Sequence, residues 1–162
     1  MTIPHRTLGT LLRHMLDLLG QGVEGAYADA GLDYRSRYTP VLRNLMAIGP
    51  ASIKALASQA GITHSAASQT VAQMARAGLV DVRRGDDLRQ QVVSLTPKAI
   101  AMIPTLKRIW QVTNEAGHEL DAELAFSIYQ LLEDAILALE HKPFRDRRNA
   151  VAQRLDMEVE AS

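Results

Sequence analysis

The chain has 162 residues, enough for one compact core, and its apolar (47%) and charged (22%) shares are those of a folded globular protein rather than a disordered one. Eighteen Lys and Arg balance eighteen Asp and Glu, so net charge implies no polyanionic partner, and the absence of cysteine excludes disulfides, thiolate metal ligands, cysteine nucleophiles and thiol switches. Abundant Ala (23) and Leu (21) against seven aromatics point to helices packed on helices.

The first predicted helix, over about residues 7–29, carries Leu8, Leu11, Leu12, Met15, Leu16 and Leu19 at spacings of three and four. Gly20, Gly22 and Gly25 predict a bend or break in its second half, and Gly31 its end. Arg13, His14 and Asp17 interrupt this stretch, so it is not a signal-peptide core. The longest charge-free run, 55–75, carries Gln59, His64, Gln69 and Gln73, which excludes a membrane span; a cytoplasmic protein with no membrane partner is expected.

A second helix starts with Thr39 as N-cap and Pro40 in the first turn, and stops at Gly49-Pro50. Ser52 caps a third, with Ile53, Leu56 and Ala57 facing inward and Gly61 at its end. Thr63 caps a fourth, with Ala67, Thr70, Val71 and Met74 inward and Gly78 closing it. Only Gly61-Ile62-Thr63 separate the two, which makes a helix-turn-helix. Two short Val/Leu-rich strands follow, 79–84 and 90–95, joined by the polar stretch 85–89. Thr96-Pro97 opens a fifth helix to about residue 117, with a kink expected at Pro104. Asp121 is read as the cap of a sixth, with Glu123 in its first turn, a stripe of Leu124, Ile128, Leu131, Leu132, Ala135 and Leu139, and an end at His141-Lys142-Pro143. A charged seventh helix is expected over about 145–156.

The expected fold is therefore mainly α with a small β-hairpin wing: a winged helix-turn-helix over 39–97, between flanking helices over 1–38 and 98–162, forming one compact unit. Residues 39–97 resemble the MarR family of winged-helix transcription regulators. The resemblance rests on Thr39-Pro40-Val41-Leu42-Arg43-Asn44-Leu45, Ile53-Lys54-Ala55-Leu56-Ala57, and Ser65-Ala66-Ala67-Ser68 with Gly78-Leu79-Val80. The wing adds Asp87-Leu88-Arg89 and the return strand Val92-Val93-Ser94-Leu95-Thr96-Pro97. The resemblance implies a homodimer built by the flanking helices, and Leu8, Leu11, Leu12, Leu16, Leu124, Ile128, Leu131 and Leu132 are the expected interface. It also implies that Arg89 enters a minor groove, oriented by Asp87.

Charge distribution points the same way. Residues 52–98 hold six basic and three acidic side chains, whereas 99–162 hold seven and eleven. Because 55–75 carries no charge, phosphate neutralisation falls to its edges: Arg43, Lys54, Arg76, Arg83, Arg84 and Arg89. Base reading falls to the uncharged polar residues His64, Ser65, Ser68, Gln69 and Gln73. Ser52 and Thr63, at helix starts, can add phosphate contacts. The alternative for Ser68 and Gln69 is a solvated helix face, and for Arg89 an exposed hairpin ion pair.

Tyr27, Tyr34, Tyr38 and Trp110 either line an effector pocket or pack the core. His64, Ser65 and Asp87 do not make a hydrolase, since neighbours on one helix point about 100° apart. The five histidines lack metal-site spacing, and neither metal nor cofactor is expected. The functional expectation is a non-enzymatic regulator, a repressor by promoter occlusion, that binds a palindromic operator as a homodimer. By the resemblance its effector is a small aromatic or phenolic anion. The rival reading is a winged helix kept as a protein-interaction or dimerisation module without DNA binding.

Overall fold

A computed structural model describes residues 6–84 and 91–160. The elements in chain order are α1 (Leu8–Asp29), a 3-10 turn (Ser36–Tyr38), α2 (Thr39–Ile48), β1 (Ala51–Ser52), α3 (Ile53–Ala60), α4 (His64–Arg76), β2 (Val80–Arg84), β3 (Gln91–Leu95), α5 (Pro97–Ala122), α6 (Ile128–His141) and α7 (Phe144–Glu160). They divide into two compact units that meet in the chain between Thr113 and Asn114.

In the first unit, Leu42, Leu56, Val71, Met74, Leu79, Val93 and Leu106 are sealed from solvent and bring α2, α3, α4, the sheet and α5 around one core. The inward sets expected for α3 and α4 hold, except that Thr70 is only half-buried. Ser52 Oγ accepts from Ala55 N–H and Thr63 Oγ1 from Ala66 N–H, each at 3.2 Å, so both residues cap the helices they precede. Gly61 takes the left-handed conformation (φ 63°) that turns α3 into Ile62-Thr63, and Gly78 (φ 70°) turns α4 toward β2.

Four local expectations change. α1 is continuous through Gly20, Gly22 and Gly25, where an added Cβ would meet nothing. The 3-10 turn runs straight into α2, so Tyr38 precedes that helix with helical angles and Thr39 is its first residue instead of its cap. A third strand, β1, pairs antiparallel with β3 (Ala51 opposite Val93, Ser52 opposite Val92), giving the order β1-β3-β2. Two residues are too short for any periodicity to reveal, and only the neighbouring β3 makes them a strand. The β2–β3 ladder runs from Val80 opposite Leu95 to Arg84 opposite Gln91. The fourth change is that α5 runs on through Pro104 to Ala122, five residues beyond expectation.

The second unit begins within α5 and holds α6 and α7. Asp121 does serve α6, but from the end of α5. Its Oδ1 accepts from Ile128 N–H at 2.6 Å and from Ser127 Oγ at 3.2 Å, while Ser127 Oγ is the cap proper, accepting from Gln130 N–H. α6 thus starts at Ile128, and Leu124 lies in the connection. At its other end Arg147 of α7 donates to the Lys142 and Ala138 carbonyls at 3.0 and 2.6 Å, satisfying groups that the last turn leaves free. A Cβ at Gly117 would meet the Tyr129 hydroxyl at 2.5 Å, so α5 and α6 approach closely there.

Candidate nucleic-acid interface

The exposed side of α4 follows from its buried side. Ala67, Val71 and Met74 face the core, and at 100° per residue Ser65, Gln69, Ala72 and Arg76 share the opposite face. Ser65, Gln69 and Arg76 are exposed there, and the methyl of Ala72 between them lets a partner surface approach closely. His64 is exposed at the start of the helix, and Ser68 is half-buried beside the stripe. Gln73 lies at the margin, half-buried, with Oε1 sealed from solvent and unpaired within the described residues.

The cations differ in their freedom. Lys54, Arg83 and Arg84 are exposed on α3 and β2. Lys98 donates to the Ala77 carbonyl at 2.7 Å and Thr96 Oγ1 to the Gly78 carbonyl at 2.7 Å, so these two residues close the C-terminus of α4. Arg43 is exposed on α2, its guanidinium 5.2 Å from the centre of the Trp110 ring. Arg89 and Asp87 lie outside the described residues, in the segment that links β2 to β3.

Tyr27, Tyr34 and Tyr38 are buried and stack edge to face, with ring centres 4.8 and 5.7 Å apart. Two of the three hydroxyls are paired: Trp110 Nε1 donates to the Tyr27 hydroxyl (3.1 Å), and the Tyr34 hydroxyl donates to Thr39 Oγ1 (3.2 Å). Burial pushes the Tyr34 phenol far above its ordinary value, so it remains a donor at every physiological pH. Trp110 is half-buried at the edge of this core. A separate open cavity of about 520 Å³ lies beside α2 and the end of α3, and none of these four aromatics lines it. Two of its polar walls, Asn44 and Gln59, have no sequence signal, because only the packing of α2 beside α3 brings them together.

The expected interface leucines are solvent-facing in the single chain. Leu8, Leu11, Leu12 and Leu16 on α1, Leu131 and Leu132 on α6, and Leu124 are between 39% and 69% exposed, and Ile128 is half-buried. Ile136, Leu137 and Leu139 add to the exposed apolar surface of α6. Among the described residues no group of three His, Asp or Glu is placed to hold a metal ion, and no helix is long and apolar enough to cross a membrane.

Known proteins agree with this geometry. Residues 30–90 match the model of the MarR family. No curated protein matches the chain in sequence. Among solved structures, the Mycobacterium tuberculosis transcriptional regulator MOSR, determined in complex with DNA, is 21% identical with a TM-score of 0.65, over 84% of this chain and 96% of that one. The PcaV transcriptional regulator of Streptomyces coelicolor, in complex with its natural ligand, is 19% identical (TM-score 0.66; 88% and 97% covered). BpsR of Bordetella bronchiseptica, whose DNA binding is regulated by 6-hydroxynicotinic acid, is 20% identical (TM-score 0.53; 70% and 83% covered). At these identities the likeness fixes the fold, and the family match covers α2, α3, α4 and β2. Residues 30–90 thus match the MarR family, and the described residues of that stretch, with β3, have the winged helix-turn-helix fold.

Proposed function

We propose that the protein is a transcription regulator that grips a palindromic operator as a homodimer, with α4 in the major groove and the 85–90 segment reaching the adjacent minor groove. The observation that carries this reading is the exposed stripe of Ser65, Gln69, Ala72 and Arg76, opposite the helix's buried side. A reading helix needs polar side chains that reach base edges and a contour that lets its backbone come close. Gln69 suits adenine, which it can meet with two hydrogen bonds; Ser65, Ser68 and His64 serve neighbouring edges. Arg76, Lys54, Arg83, Arg84 and Arg89 neutralise phosphates or a narrow groove, with Asp87 orienting Arg89, and Ser52 and Thr63 add hydroxyl contacts. Gln73, with its carbonyl buried, contributes least.

The flanking regions, 1–38 and 98–162, dimerise, since their exposed leucines need a cover that a second copy supplies. Two heads seated about one helical turn apart would cover a promoter, and repression by occlusion is the mode we propose, although activation uses the same head. An effector would release the operator only by binding the free and bound forms with different affinity. The structural relatives solved with DNA and with small ligands support this reading.

Selection of bound sequences from random duplexes tests it: an enriched inverted repeat is expected, and no enrichment overturns it. Arg89→Ala should weaken selected and scrambled duplexes alike and flatten the salt dependence. A second reading, a winged helix that binds protein instead of DNA, is favoured by one observation: α4 carries a single formal charge, Arg76. Salt-independent passage through a heparin column would favour it.

A further inference from the structure

The open cavity beside α2 has a wall unlike that of an aromatic-binding pocket. It is lined by Ser36, by Thr39, Pro40, Arg43 and Asn44 of α2, and by Gln59 and Ala60, the last two residues of α3. Arg43 is its only charge, and no carboxylate forms an ion pair with Arg43 among the described residues. Thr39 Oγ1 accepts the Tyr34 proton, so the Thr39 hydroxyl hydrogen is free to donate elsewhere. Ser36 gives its N–H and its hydroxyl to Glu24 Oε1, leaving the Ser36 oxygen as an acceptor. Asn44 also lines the cavity, but its Nδ2 is sealed from solvent and without a partner among the described residues, so it offers a ligand no donor as it stands. The lining therefore offers one positive charge, neutral donors and acceptors, and no aromatic ring.

We propose that this cavity binds a hydroxylated aliphatic monocarboxylate of sugar-acid size, its carboxylate on Arg43 and its hydroxyls on Ser36, Thr39 and Gln59. A single guanidinium matches one carboxylate, and the three neutral polar side chains of Ser36, Thr39 and Gln59 match a polyol chain better than a ring. Because the end of α3 forms part of the wall, one residue before the Gly61 turn into α4, occupancy bears on the helix-turn-helix. This consequence rests on the DNA-binding reading above; the site does not.

Trp110, the only tryptophan, lies under the Arg43 guanidinium and reports on it without DNA. The experiment titrates sodium gluconate against Trp110 fluorescence in the intact chain at constant ionic strength, with glucose and 4-hydroxybenzoate as comparators. Saturable change with gluconate is expected, with glucose and 4-hydroxybenzoate each at least about tenfold weaker, the loss expected when a charge-assisted hydrogen bond or a set of neutral ones is removed. Arg43→Gln and Gln59→Ala should each weaken gluconate. No saturable response, or a response unchanged in Arg43→Gln, overturns the site. Tighter binding of 4-hydroxybenzoate than gluconate overturns the ligand class. With an operator duplex present, the gluconate midpoint and the duplex midpoint must shift by the same factor. An unmoved duplex midpoint with the site saturated overturns the coupling alone.

Discussion

Gln69 and Gln73 stand one helical turn apart, and in sequence nothing separates them. In the structure Gln69 is exposed between Ser65 and Arg76, whereas Gln73 has its carbonyl oxygen sealed without a partner among the described residues. Gln69→Ala should cost about 1–3 kcal/mol on the selected operator, roughly 5- to 150-fold in Kd, and almost nothing on scrambled duplex. Its effect on stability should stay within about 0.5 kcal/mol, as for exposed positions generally. Gln73→Met keeps the volume and removes the orphan carbonyl. An unsatisfied buried polar atom costs about 1–3 kcal/mol, and the lower end applies because the rest of Gln73 is half-exposed. A gain of about 1 kcal/mol in a unit of this size raises Tm by roughly 4 °C. Thermal melts and anisotropy titrations on both duplexes, at several salt concentrations, measure the two effects separately. The reasoning fails if Gln73→Met melts lower and loses as much operator preference as Gln69→Ala.

Three further outcomes follow from the same geometry. Asp121→Ala removes two acceptor contacts from the start of α6, one at 2.6 Å to a backbone N–H, and should destabilise the second unit by about 1–2 kcal/mol in urea melts; an unchanged midpoint would show that Ser127 alone caps the helix. Leu11→Asp combined with Leu132→Asp should yield monomeric or insoluble protein, and a well-folded dimer in sedimentation would place the interface elsewhere. Burial raises the Tyr34 phenol above its unfolded value of 10.0, so the stability it lends is complete below that pH and is lost as the solution becomes more alkaline. Tyr34→Phe should therefore flatten the decline of Tm above about pH 10, and an identical decline in both proteins would mean that Tyr34 ionises freely.

Exposure on α1 and α6 gives the Leu11 and Leu132 prediction its physical basis. A helix with no buried residue, such as α6, has little packing to hold it, and helices of this length are marginal in water on their own. Its two tethers, Asp121 at the start and Arg147 at the end, supply polar satisfaction but bury little apolar surface. A partner surface is what the exposed Leu131, Leu132, Ile136 and Leu137 require.

The helix-turn-helix could be read from the chain because its signals are local. Ser52, Gly61, Thr63 and Gly78 act within three or four residues of themselves, and they cap and turn α3 and α4 as their chemistry dictates. The inward faces of those helices follow from a period of 3.6, which holds whatever they pack against. Tertiary structure decided the rest, where a residue's role depends on what lies across from it. β1 is a strand only because Val92 and Val93 of β3 lie opposite it. Thr39 lost its cap role to a 3-10 turn that arrives already helical, and Asp121 reaches α6 across a connection no pattern marks. The three tyrosines became core, with the Tyr34 hydroxyl meeting Thr39 across 5 residues of chain and the Tyr27 hydroxyl meeting the Trp110 N–H across 83, and Arg43, Asn44 and Gln59 share a cavity only once α2 lies beside α3. Sequence encodes what neighbours along the chain can enforce; burial and pairing between distant segments belong to the folded state, because a side chain's partner there is set by packing and not by spacing.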